Sequence, residues 1–114
     1  MHNYLRTYRR RHGFSQAEIA ALLGIGSYRP VSRYEHGARH PHILTVFALE
    51  VVFGQPASEL FAGAYDTVRH AVRERARRME QKLCALPDLD RATIRKVELL
   101  RAIVGPESKP TIGS

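Results

Sequence analysis

A single cysteine, Cys84, stands in the 114 residues, so no internal disulfide can staple the chain. A fold held by its hydrophobic core in a reducing compartment is expected. No apolar run approaches the roughly 20 residues that span a bilayer. The amino-terminal MHNYLRTYRRRHG lacks the apolar stretch that follows the charges of a secretory signal. Both absences point to a cytoplasmic protein with no membrane partner. Acidic residues are scarce: 11 Asp and Glu against 18 Lys and Arg leave a formal charge of +7, which makes polyanions the first partners to consider. Strand alternation is missing, as are a metal-ligand cluster, a nucleophile elbow and a phosphate-cradling glycine loop. The expectation is therefore an all-α protein that is not an enzyme and needs no cofactor.

What is present is a series of short apolar-periodic segments punctuated by Gly and Pro over residues 1–63. A first helix is expected over 3–12, with Leu5, Tyr8 and Arg9 on one face and Gly13 as its left-handed cap. Ser15 to Glu18 spells a capping box. It opens a second helix with an apolar face of Ile19, Ala20, Leu22 and Leu23, closed by Gly24. The small Ala20 lets a neighbouring helix cross closely. Ser27 caps a third helix over 27–36 whose inward positions are Val31 and Tyr34, leaving Tyr28, Arg29, Ser32 and Arg33 outward and Gly37 as the stop. Pro30 then falls in the first turn, where its missing N–H has no intrahelical partner anyway. It limits the Ser27 hydroxyl to the Arg29 amide and biases Arg29 away from helical angles. Pro41 opens a fourth helix carrying Ile43, Leu44, Phe47, Ala48, Val51 and Val52 inward to close the core, and a short turn over 57–61 follows.

Beyond Gly63 the composition shifts to a long basic helix over 65–86. Tyr65, Val68, Val72, Ala76, Met79, Leu83 and Leu86 form a stripe along it. Pro87 breaks it, Asp88 or Asp90 recaps, and Ile94, Val97, Leu100 and Val104 form a second stripe. An antiparallel helical hairpin over 64–104 is expected to pack on the first domain or on a second chain, with dimer formation favoured over a membrane-surface or DNA-arm role. Residues 105–114 read as a disordered tail. Cys84, beside Leu83, is expected to be a small buried hydrophobe.

The run LRTYRRRHGFSQAEIAALLGI, then VSRYEHG, then PHILTVFALEVVFGQPASELF, resembles the helix-turn-helix domain of phage repressor and Cro type, also called the XRE family. The resemblance covers 3–63 and rests on Arg9, the Gly13-Phe14-Ser15-Gln16 run, Ala20, Leu23-Gly24, Val31-Ser32, Glu35 and Gly37 in the family's order. It implies a five-helix lambda-repressor-like domain whose third helix enters the major groove of operator DNA. By position, Tyr28, Arg29, Ser32 and Arg33 match the base-reading face, with Arg33 the stronger reader because its backbone is free of the proline effect. Gln16, Ser27, His36 and Arg39 match phosphate contacts, and Arg9 and Glu35 a structural ion pair. Three features depart from the family pattern: one added residue in the turn 24–27, Pro30 itself, and His36 where Asn is frequent.

Blander readings apply elsewhere. Arg10 and Arg11 read as solvated charges. His36, His40 and His42 lie close in sequence, yet their spacing fits no structural zinc site. The resulting expectation is a sequence-specific transcriptional regulator of bacterial or phage type. It would be cytoplasmic, nucleoid-associated when bound, and a homodimeric repressor on a palindromic operator. The alternative is an antitoxin-like module whose hairpin, 64–104, binds a partner protein.

Overall fold

Residues 3–105 are described by the computed structural model, and among them stand seven helices and no strand. The tail expected beyond Gly105 lies outside the described residues. The chain divides into two compact units between Thr67 and Val68.

The first unit holds five short helices. α1 spans Leu5–Arg11; the Asn3 Oδ1 accepts from the Leu5 amide at 3.1 Å, and Gly13 (φ 77°) turns the chain out in the left-handed region. α2 spans Gln16–Leu23 and begins with the full capping box. The Glu18 amide donates to Ser15 Oγ at 3.0 Å, and the Ser15 amide donates to the Glu18 carboxylate at 2.8 Å. Gly24 (φ 76°) ends it. α3 spans Arg29–Glu35, α4 Ile43–Phe53 and α5 Ala57–Leu60. Their common core is Leu5, Ile19, Ala20, Val31, Tyr34, Leu49, Phe53 and Leu60. Each fully buried aliphatic side chain of this kind stabilises the unit by about 1.5–3 kcal/mol relative to exposure.

Several positions differ from the sequence expectation. The hydrogen-bonded helix α3 begins at Arg29, one residue later than a helix capped by Ser27 would, although Tyr28 between them already has helical angles (φ −76°, ψ −14°) and leaves the capping to Ser27. The Ser27 hydroxyl accepts from the Arg29 amide at 3.1 Å. That bond holds Arg29 in the first turn, so the bias imposed by the following proline does not prevail. Leu22, expected inward, is exposed. So are Ile43, Leu44, Phe47 and Val51 of α4, which buries Leu49 and Phe53 instead. α4 is apolar on both faces, and periodicity alone gives such a helix no phase. It also starts two residues after Pro41, with the extended His42 as N-cap.

α6 spans Ala62–Cys84 and α7 spans Arg91–Val104. In the second unit Ala76, Leu100 and Val104 are buried, with Leu83 and Ile103 packed against them. Val68, Val72, Met79 and Leu86 remain exposed, as does Ile94, since α7 covers only the flank of α6 that carries Ala76 and Leu83. Cys84 is exposed rather than buried. It lies one residue round the helix from Leu83, with its Sγ 3.9 Å from Arg101 Nη2. The Arg73 Nε donates to the Ile103 carbonyl at 3.0 Å, and Arg101 Nε pairs with Glu80 at 2.7 Å.

Asp90, not Asp88, caps α7, accepting from the Thr93 amide at 2.8 Å. Hydrogen bonds from the Thr93 side chain and backbone hold its carboxyl below the ordinary carboxylate value. A depressed folded-state pKa means that the cap's contribution is present above the unfolded value, near 3.9, and is lost as pH falls through the folded one. Protection of the Thr93 amide, taken against the intrinsic exchange rate at each pH, should therefore fall on acidification below about pH 4 in the native chain. Asp90→Asn, an equally good cap that does not titrate, should abolish that pH dependence; an unchanged acid profile would show that Asp90 is not its source.

Candidate nucleic-acid interface

α3 carries two faces with opposite tasks. Val31 and Tyr34, three residues apart, are buried in the core and set the helix on its roll. Tyr28, Arg29 and Arg33 are consequently exposed, and Ser32 is half-buried at the edge of the same face. Two guanidinium groups one helical turn apart, with an aromatic hydroxyl and an aliphatic hydroxyl beside them, supply donors suited to base edges and phosphates.

The helix is fixed at its C-terminal end by groups outside it. The Asn3 Nδ2 donates to the Tyr34 carbonyl at 2.8 Å. Glu35, the last helical residue, receives Arg9 Nε at 2.5 Å and Arg9 Nη2 at 3.1 Å. This pair is withdrawn from water, with side-chain exposures of 11 % for Arg9 and 2 % for Glu35. Gln16, the first residue of α2, donates its Nε2 to the same carboxylate at 3.0 Å. Arg9 Nη1 also bonds the Phe14 carbonyl at 3.0 Å. One carboxylate thus joins α1, α2 and α3, and no buried polar side-chain atom is left unsatisfied among the described residues.

Sequence reasoning missed two of these links. Gln16, assigned to phosphate, also braces Glu35, and nothing in its spacing discloses that. Asn3 holds α3 from outside; an Asn two residues before a helix was a legible sign of its capping bond, though not of its reach to Tyr34.

The other assigned residues line the ends of α3. Ser27 lies exposed in the turn before it, while His36 and Arg39 lie exposed after it. His36 Nδ1 sits 2.7 Å from the Ser32 carbonyl, which orients the ring along the helix end. The arginine run at the end of α1 divides. Arg9 points inward, whereas Arg11 lies 5.1 Å over the Tyr8 ring. The Tyr8 hydroxyl donates to Glu59 at 3.0 Å, and burial together with that carboxylate raises the phenol above its ordinary value. His42 Nε2 is 3.3 Å from Thr45 Oγ1, and no group of three or more His, Cys, Asp and Glu converges among the described residues.

A helix-turn-helix family model matches residues 5–60, the span of α1 to α5. Residues 5–60 are a helix-turn-helix domain of the phage repressor and Cro type. Over those residues the chain thus carries the DNA-binding domain of an XRE-type transcription regulator. In such a domain α2 and α3 are the helix-turn-helix pair and α3 the recognition helix. No curated protein and no solved structure matches the chain. Among the described residues no helix is long and apolar enough to cross a membrane.

Proposed function

We propose that the protein is a repressor that binds a palindromic operator as a homodimer, with α3 of each copy in the major groove. The observation that carries this reading is the division of α3 into a buried anchor, Val31 and Tyr34, and an exposed face with Arg29 and Arg33. Tyr28, Arg29, Ser32 and Arg33 read base edges. Ser27, His36 and Arg39 hold phosphates on either side. Gln16 joins them through the α2 N-terminus, where the first-turn amides and the helix dipole favour an anion. The hairpin supplies a further contact, to a second copy or to a partner protein.

Arg33→Ala should weaken binding to a preferred site by about 1–3 kcal/mol and relax the base preference at one position per half-site. Titration of preferred and random duplexes at one salt concentration checks this, and equal losses on both would reduce Arg33 to a phosphate contact. The wider reading is tested by selecting bound sequences from random DNA with the purified chain. An inverted repeat is the expected product; a single unrepeated motif would sink the dimer.

A second reading has one observation in its favour: the hairpin exposes Val68, Val72, Met79 and Leu86. Such a face suits an antitoxin-like role in which a partner protein covers residues 64–104.

A further inference from the structure

α4 carries an apolar face that the interface above does not use. Ile43, Phe47 and Val51 recur at four-residue intervals with Leu44 beside them, and they are exposed by 60 %, 52 %, 84 % and 67 % respectively. The other side of the helix is the one that packs, through Leu49 and Phe53. Together the four side chains present on the order of 500 Å² of apolar surface, as much as a monomer ordinarily leaves in one patch. Two such faces pressed together would bury about 1,000 Å², the threshold of a specific interface before its rim is counted.

Charge decides between occupants. The eleven residues of α4 include no Lys or Arg, in a chain of net charge +7. Its one acid, Glu50, is engaged, accepting from the Ala57 amide at 2.5 Å. The four side chains of the exposed face offer a nucleic acid no cation and no donor. In a two-fold contact the same patch is used by both copies, so a patch bordered by charges of one sign meets charges of that same sign. The hairpin stripe is bordered by Arg75, Arg78 and Lys82 and meets that penalty. α4 itself carries no Lys or Arg to incur it, and apolar surface is complementary to itself.

We propose that the exposed face of α4 is the seat of the same face of a second copy, the two helices running antiparallel about an axis near Phe47. The proposal rests on the dimer reading and assigns its two-fold contact to the DNA-binding unit rather than to the hairpin. α3 and α4 lie in one unit. Pairing through α4 therefore fixes one recognition helix against the other, and with them the half-site spacing.

Sedimentation equilibrium of the full chain over a concentration series tests it, using Val51→Asp, Ile43→Asp and the hairpin variant Val72→Asp. All three positions are exposed, and an aspartate at 43, the first residue of α4, suits the helix N-terminus. Circular dichroism confirms that each variant is folded. The expected result is a dimer whose dissociation constant rises at least about 10-fold in both α4 variants and stays within about 2-fold in Val72→Asp. A dimer that both α4 variants leave intact would overturn the α4 assignment while the dimer reading stands. A native chain that remains monomeric throughout would overturn both.

Discussion

Glu35→Ala is expected to lower the stability of the DNA-binding unit by about 3–5 kcal/mol, the cost of leaving one member of a buried ion pair without its partner. The size follows from what remains after the carboxylate is removed. The Arg9 guanidinium keeps only its bond to the Phe14 carbonyl, and Gln16 Nε2 loses its acceptor. With Arg9 only 11 % exposed, water cannot replace the missing charge without opening the junction of α1, α2 and α3. The double variant Arg9→Met with Glu35→Leu removes both charges, and it should recover most of the loss, since apolar replacement of a buried pair is often neutral or stabilising. Urea denaturation followed by circular dichroism checks both, with the interaction energy read from the double-mutant cycle. A loss below about 1 kcal/mol for Glu35→Ala would mark the pair as solvated. DNA affinity should fall with stability in the single variant and recover in the double. That outcome would separate support of α3 from recognition.

The parts of this arrangement legible in the sequence were those governed by local chemistry. Ser15 and Glu18 announce α2 because the capping box is closed within four residues, and Gly24 announces its end because only glycine takes the left-handed angles at low cost. Val31 and Tyr34 were legible as anchors because α3 is polar elsewhere, so its apolar spacing has one phase. α4 offered no such contrast. Ile43, Leu44, Phe47 and Val51 are as apolar as Leu49 and Phe53, and which set turns inward is decided by the helices packed against α4, not by its own pattern. The two helices of the hairpin were legible, but how much of their stripes is buried was not, for a related reason: one partner helix covers only part of a stripe, so Ala76 and Leu83 are taken up while Val72 and Met79 are left out. The second duty of Gln16 was hidden because its partner, Glu35, becomes a neighbour only once α2 and α3 have folded together.

Leu60→Ala should cost the first unit about 2–5 kcal/mol through the cavity it leaves. Leu60 is 0 % exposed, and it sits in a helix of four residues, too short to hold itself by its own hydrogen bonds. α5 persists because its ends are tied elsewhere. Glu50 Oε2 accepts from the Ala57 amide at 2.5 Å, and the Leu60 carbonyl accepts from the Tyr4 amide at 2.9 Å. The side chain is therefore the one element of α5 that reaches the shared core, and its surroundings cannot close over the gap without breaking those backbone ties. Leu22→Ala, the same truncation at a position equally apolar in sequence but exposed, should change stability by no more than about 0.5 kcal/mol. Comparing the two in parallel urea titrations isolates burial from residue type. Similar losses for both would mean that α2 turns Leu22 into the core and that the roll of α2 against α3, on which the exposed face of the recognition helix depends, is set differently from the arrangement described.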